Sequence, residues 1–93
     1  MNNADIANVF LGLADLLERK RENRFKILAY RKAARAIEVC SEDLAHLVGE
    51  GREKELRDIP GVGEAIAKKI VELVGTGKLS LYERLKAEFP DGK

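Results

Sequence analysis

Ile59-Pro60-Gly61-Val62-Gly63 is the most informative stretch of this 93-residue chain. The proline pushes the residue before it out of the helical region, so a helix arriving from the N-terminal side must stop here. Two glycines bracket one apolar residue, which lets the backbone turn tightly while Val62 packs inward. A new helix then starts at once, with Ile66, Ala67, Ile70 and Leu73 at helical spacing up to about Val74. Its first amides, around Gly61–Glu64, are presented with no bulky side chain in the way. Such a terminus attracts phosphate through its N–H groups and the positive end of the helix dipole. A plain tight turn between two helices uses the same residue types, so Gly-x-Gly alone does not separate the two readings.

Working outward, Glu53–Asp58 suits a short helix before the turn. Ahead of it, residues 4–20 place Ile6, Val9, Phe10, Leu13, Leu16 and Leu17 on one apolar stripe, with Asn2 or Asn3 as the cap. A second helix runs over roughly Lys26–Cys40 and buries Ile27, Tyr30, Ala34 and Ile37. Ser41 is the expected cap of a short helix over Glu42–Val48. Beyond the turn, Ser80-Leu81-Tyr82-Glu83 reads as a capping box opening a last helix, whose apolar face is Tyr82, Leu85 and Phe89 and which Pro90 ends. The other two Gly-x-Gly triplets, Gly49–Gly51 and Gly75–Gly77, read as ordinary turns. No segment alternates with period two over five residues. The expected fold is all-α, a compact bundle of five to six short helices forming one domain over residues 1–89. Residues 90–93 are the expected tail or start of a linker.

Charge is unevenly distributed. The 17 basic and 16 acidic residues leave a net charge of only +1, which by itself argues against a polyanion partner. Yet Arg19, Lys20, Arg21, Arg24, Lys26, Arg31, Lys32 and Arg35 are opposed within their own segment by Glu22 alone, giving it +7 against −6 for the rest. Arg24, Arg31 and Arg35 fall near one azimuth of the second helix. Such a one-sided field attracts phosphate and releases counterions on binding. A single cysteine, Cys40, excludes an intramolecular disulfide and a cysteine-cluster zinc site, and a single histidine, His46, excludes a histidine-rich metal centre. Cys40 reads as a small apolar residue and His46 as a surface residue. No apolar run reaches the ~18–20 residues that span a bilayer, and the expected setting is an intracellular, reducing one.

The order short helix, apolar residue, Pro-Gly-apolar-Gly, then Ala and Ile at helical spacing resembles the helix-hairpin-helix element, here at about residues 53–74. That element grips the DNA backbone without reading bases. A narrower resemblance rests on two further motifs. Lys26-Ile27-Leu28-Ala29-Tyr30-Arg31-Lys32-Ala33-Ala34 is similar to the Tyr-Arg-Lys-Ala-Ala signature in the N-terminal 8-kDa domain of family X DNA polymerases, and Thr76-Gly77-Lys78-Leu79 is similar to the family's turn after the hairpin helix. The resemblance covers about residues 4–89. The long stretch between Tyr30 and Gly61 fits the bacterial and archaeal type, and the palm, fingers and thumb that polymerise nucleotides are absent from this chain.

The resemblance implies a domain that binds the 5′-phosphate side of a gap or nick in duplex DNA, cytoplasmic and nucleoid-associated, monomeric, and linked to polymerase domains. Lys26 matches the phosphate contact and Tyr30 a tyrosine lining the same pocket. Plain alternatives stand beside both: a core tyrosine with its hydroxyl at the rim, and a solvated lysine. Arg31, Arg35, Arg57, Lys68 and the hairpin residues Gly61, Val62 and Gly63 complete the implied DNA-binding set. Carbonyl oxygens matching Arg57, Ile59 and Val62 would hold a monovalent cation, Na⁺ or K⁺, between hairpin and phosphate. Lys69 matches the Schiff-base lysine of the family's 5′-deoxyribose-phosphate lyase site, where a neutral amine attacks the C1′ aldehyde and β-elimination follows. Two departures weaken that carry-over: Ala65 stands where lyase-active members have a phosphate-binding lysine, and Phe25 replaces a histidine. A helical protein-interaction domain without a DNA role is the competing expectation.

Overall fold

Asn2 caps the first helix as its position suggests: its side chain accepts from the Asp5 amide, and Asp5 accepts from the Asn2 amide in return. From there the computed structural model, which describes residues 1–90, is helical in five α-helices and one 3-10 turn. Helix α1 spans Asn3–Arg19, α2 Arg24–Glu38, α3 Leu44–Gly49, α4 Glu64–Thr76 and α5 Ser80–Glu88, with the 3-10 helix at Glu53–Asp58 ahead of the hairpin. The fold is all-α, as the periodicities predict.

Helices α1 and α2 form the main packed pair. Ile6, Phe10, Leu13 and Leu17 of α1 and Ile27, Tyr30 and Ile37 of α2 are all buried. Small residues at Ala7, Ala14, Ala33 and Ala34 are buried between them, so the helices can approach closely. Phe10 and Tyr30 stack with centroids 6.0 Å apart. Each fully buried side chain of this size stabilises the fold by ~1.5–3 kcal/mol relative to exposure. Val62, Ile66, Ala67, Ile70 and Leu73 join the same core from the hairpin and α4. No polar or charged residue is buried among the described residues.

Two local expectations are corrected. The cap of α3 is Asp43, not Ser41: Asp43 accepts from the His46 amide, and α3 starts at Leu44. The reason lies on α1, where Asn3 donates to the carbonyls of Cys40 and Glu42 and accepts from the Leu44 amide, holding residues 40–44 in a bend. The capping box at Ser80 does not form. Leu79 is buried with extended backbone and occupies the cap position, while the Glu72 carboxylate reaches from α4 to accept both the amide and the hydroxyl of Ser80, at 2.7 and 2.6 Å. The short helix expected before the hairpin is present at Glu53–Asp58, in 3-10 geometry.

Two connections show how the chain turns. Helix α1 ends with the Glu22 amide on the Leu17 carbonyl and the Arg21 amide on the Glu18 carbonyl, and Arg21 itself takes a left-handed φ of 61°. That is the pattern normally closed by glycine. Helix α5 lies back on α1: Tyr82 sits over Gly12, where a β-carbon would stand 2.6 Å from its hydroxyl oxygen. Around this contact Lys20 pairs with Glu88 at 3.0 Å and the Arg19 guanidinium lies 4.2 Å over the Phe89 ring. Phe89 leaves helical geometry immediately before Pro90, as the proline requires. The remainder of the expected tail, residues 91–93, lies outside the described residues. Among the described residues, no helix is long and apolar enough to cross a membrane.

Candidate functional site

The hairpin is built as its residues dictate. Ile59 is extended, and its carbonyl accepts the Val62 amide at 2.9 Å to close the turn. Gly61 has φ of 92°, a conformation that a residue with a side chain adopts only with strain. Val62 is buried, while Gly61 and Gly63 on either side of it are exposed. Helix α4 begins after Gly63 with no side-chain cap, which leaves its first amides open to an outside acceptor.

The position of the hairpin matters more than its internal geometry. A β-carbon on Gly61 would lie 3.5 Å from Lys32 Cγ and 3.9 Å from Ala36 Cβ. The turn therefore rests on α2, and the uncapped start of α4 adjoins the basic helix.

On α2, Lys26 is exposed. Tyr30 is buried to 5% exposure, and burial pushes its hydroxyl above the usual tyrosine range, with the nearby Lys26 charge partly opposing that shift. Arg35 is exposed, but Arg31 is committed differently. It pairs with Asp15 at 3.2 Å and Glu18 at 2.8 Å, both on α1, and holds the Glu18 carboxyl below the usual range. Along the chain only Glu22 opposes the basic segment. The two acids that neutralise Arg31 are contributed by the neighbouring helix.

Beside the hairpin, Arg57 and Lys54 of the 3-10 helix and Lys68 of α4 line one groove with Ala67 and Val71, and the carboxylates Glu53 and Glu64 share its rim. Lys68 is exposed and only loosely paired with Glu64, at 3.8 Å. Lys69 is half-buried, and its charge reaches Glu72, whose carboxyl is held low chiefly by the Ser80 hydrogen bonds and further by Lys69. Ala65 is exposed, and Phe25 stands 79% exposed at the start of α2. The structure thus joins Gly61 to the α2 surface and Arg57 to Lys68, and sets Lys69 beside an anion. Lys32 and Lys54 stand outside the DNA-binding set that the resemblance implies. Lys32 shares a ridge with Ala36, the i,i+4 spacing that puts both against the hairpin. Among the described residues, no group of three or more His, Cys, Asp and Glu is placed to hold a metal ion.

A glycine turn closed by Ile59 and Val62, an uncapped helix start and an apolar residue buried between two glycines together describe a known arrangement, and the helix-hairpin-helix domain profile matches residues 1–79. The chain belongs to the helix-hairpin-helix domain family. It is also similar to the DNA polymerase/3′-5′ exonuclease PolX of Bacillus subtilis (strain 168), with 32% identity over 92 residues. That match covers 99% of this chain and 15% of the relative, so the chain spans a small part of that protein's length. The name of this relative agrees with the family X polymerase that the Tyr30–Ala34 and Thr76–Leu79 motifs resemble.

Proposed function

We propose that this chain is the DNA-binding module of a family X repair polymerase and holds the phosphate backbone at the 5′-phosphate side of a gap or nick. One observation carries the reading: Gly61 packs on Lys32, which makes the open amides of α4 and the cations of α2 neighbours on one surface. A phosphate seated at Gly61–Glu64 meets backbone donors and the positive end of the helix, with no base edge involved. Lys32, Arg35 and Lys26 extend the contact along one side, and Arg57, Lys54 and Lys68 along the other. The carbonyls of Arg57, Ile59 and Val62 are neutral oxygen donors suited to a hard cation, and the Ile59 oxygen keeps a second lone pair after accepting from Val62. Bound there, Na⁺ or K⁺ would supply positive charge between carbonyls and phosphate.

The test is a titration of the amide spectrum with gapped duplex DNA. Shifts are expected at Gly61–Lys69 and Lys26–Arg35, with binding that weakens steeply as salt rises and strengthens when the gap carries a 5′-phosphate. No shift at either segment overturns the reading in favour of a protein-interaction domain, and indifference to the 5′-phosphate removes its gap-specific part.

A second activity, 5′-deoxyribose-phosphate lyase chemistry through Lys69, is favoured by the half-burial of that lysine on the hairpin helix. Ala65, exposed on the same helix, offers no cation for the phosphate where lyase-active members have a lysine. In the proposed step the amine adds to C1′ and loses water to give an imine, loss of a C2′ proton then breaks the C3′–O bond and frees the DNA strand with its 5′-phosphate, and water hydrolyses the remaining imine to release the sugar phosphate and restore the lysine.

A further inference from the structure

A cleft of about 500 Å³ lies on the flank of the hairpin that the basic residues do not use, between the end of α2, α3 and the 3-10 helix. Its apolar lining is Val39, Cys40, Leu47, Ile59 and Pro60, and Val39 is left 73% exposed there. An exposed branched aliphatic residue beside a proline and a half-buried isoleucine is unfavourable in water, and a partner that covers it gains hydrophobic energy. The charge around this lining decides what the partner is.

Glu42 in the 40–44 bend and Asp58 at the end of the 3-10 helix line the cleft, and neither carboxylate has an ion-pair partner among the described residues. The third acid of the lining, Glu55, is held by Arg52, and several acids elsewhere on the surface are engaged as well: Asp15 and Glu18 by Arg31, Glu50 by Arg52, Glu83 by Lys86 and Glu88 by Lys20. The C-terminal end of α2 adds a third negative source, because Val39 is its cap and the helix dipole is negative at that end. Glu38, the last residue of α2, adds a carboxylate where the dipole already disfavours one. From Glu38 to Asp58 the chain holds seven acidic residues against three basic ones.

We propose that this cleft docks a protein segment that presents one apolar side chain flanked by lysines or arginines. The apolar side chain covers Val39, Ile59 and Pro60, and the flanking cations meet Glu42 on one element and Asp58 on the other. The site shares no residue with the DNA-binding set except Ile59, whose part there is its carbonyl. It stands whether or not the chain binds DNA.

The probe is an acetylated, amidated pentapeptide with a central leucine between two lysines on each side, titrated into the full 93-residue chain and followed by amide shifts. Shifts are expected at Val39, Cys40, Leu47 and Ile59, saturating in the range of ~0.1–1 mM expected of one small anchored contact. The combined Glu42→Gln and Asp58→Asn variant, at two exposed positions, should keep the amide spectrum of the folded chain and bind roughly fivefold more weakly. Val39→Ser should weaken binding with both carboxylates intact. Absence of cleft shifts at millimolar peptide overturns the proposal. Equal binding of a peptide with glycine in place of the leucine also overturns it, since charge alone would then suffice. So do concentration-dependent shifts of the chain alone at both the cleft and Phe25, which assign the cleft to a second copy.

Discussion

Gly61 of the hairpin faces Lys32 of α2: a β-carbon on the glycine would stand 3.5 Å from Lys32 Cγ, at ordinary van der Waals distance. The space at Gly61 would therefore admit a methyl group, and the backbone conformation is what demands glycine there. With φ at 92°, Gly61→Ala is expected to lose ~1–2 kcal/mol of stability in chemical denaturation. Its affinity for gapped DNA should fall as well, because relief of the strain moves the amides of Gly61–Glu64. An alanine variant with unchanged stability would show that the turn tolerates a different backbone.

The basic residues of α2 should not contribute equally to DNA binding. Arg35→Ala or Lys32→Ala is expected to weaken binding ~3–10-fold and to reduce the salt slope by about one. Arg31→Ala should cost less affinity, since Asp15 and Glu18 already hold that guanidinium. Fluorescence anisotropy at several salt concentrations separates the two classes. A slope change for Arg31→Ala as large as that for Arg35→Ala would mean the α1 acids release it on binding.

Lys69 can be tested independently of affinity. Borohydride reduction with DNA carrying a 5′-deoxyribose phosphate should trap a low yield of covalent adduct that disappears in Lys69→Ala. No adduct at high protein concentration would eliminate the lyase step and leave binding as the whole activity.

The Glu72 bridge to Ser80 predicts a pH dependence with a definite sign. Its carboxyl is held below the ordinary value of 4.5, so the stabilising contribution is fully present above that value and is lost as pH falls through the lowered one. Thermal melts should therefore show an acid-side decline beginning below about pH 4. Glu72→Gln should lower the melting temperature at neutral pH and flatten that decline. An identical acid profile in the variant would place the decline on Glu18 and Glu55, which arginines also hold low.

Arg21 occupies the left-handed position that closes α1, at φ of 61°. Arg21→Gly is expected to stabilise the chain by ~0.5–1 kcal/mol, because glycine takes this conformation without a β-carbon clash. A small loss of DNA affinity, visible only at low salt, should accompany it. Equilibrium denaturation measures the first effect, and a destabilised variant would show that the arginine side chain makes a compensating contact.

Much of this was legible along the chain because it depends on local pattern. The stripes of α1, α2 and α4 follow from residues three and four apart, and Val62 is buried because its neighbours are glycines. What escaped depended on partners distant in sequence. Ser41 and Ser80 are sound local caps, but Asn3 holds the loop before α3 and Glu72 reaches Ser80, so the helices start elsewhere. The neutralisation of Arg31 was invisible for the same reason: helical spacing locates a charge on its own helix and says nothing of the acids on the next one. The contact of Lys32 with Gly61 required knowing which ridge of α2 the hairpin rests on.

Asn3 has one more consequence, for how the chain opens. Helix α3 has six residues, too few to hold its amides against solvent by itself. The Leu44 amide nevertheless donates to Asn3, 41 residues away on α1. Its exchange with deuterium should accordingly be slow and should track separation of α1 from the 40–44 loop, not fraying of α3. One amide in the shortest α-helix thereby becomes a clock for the opening of the domain as a whole.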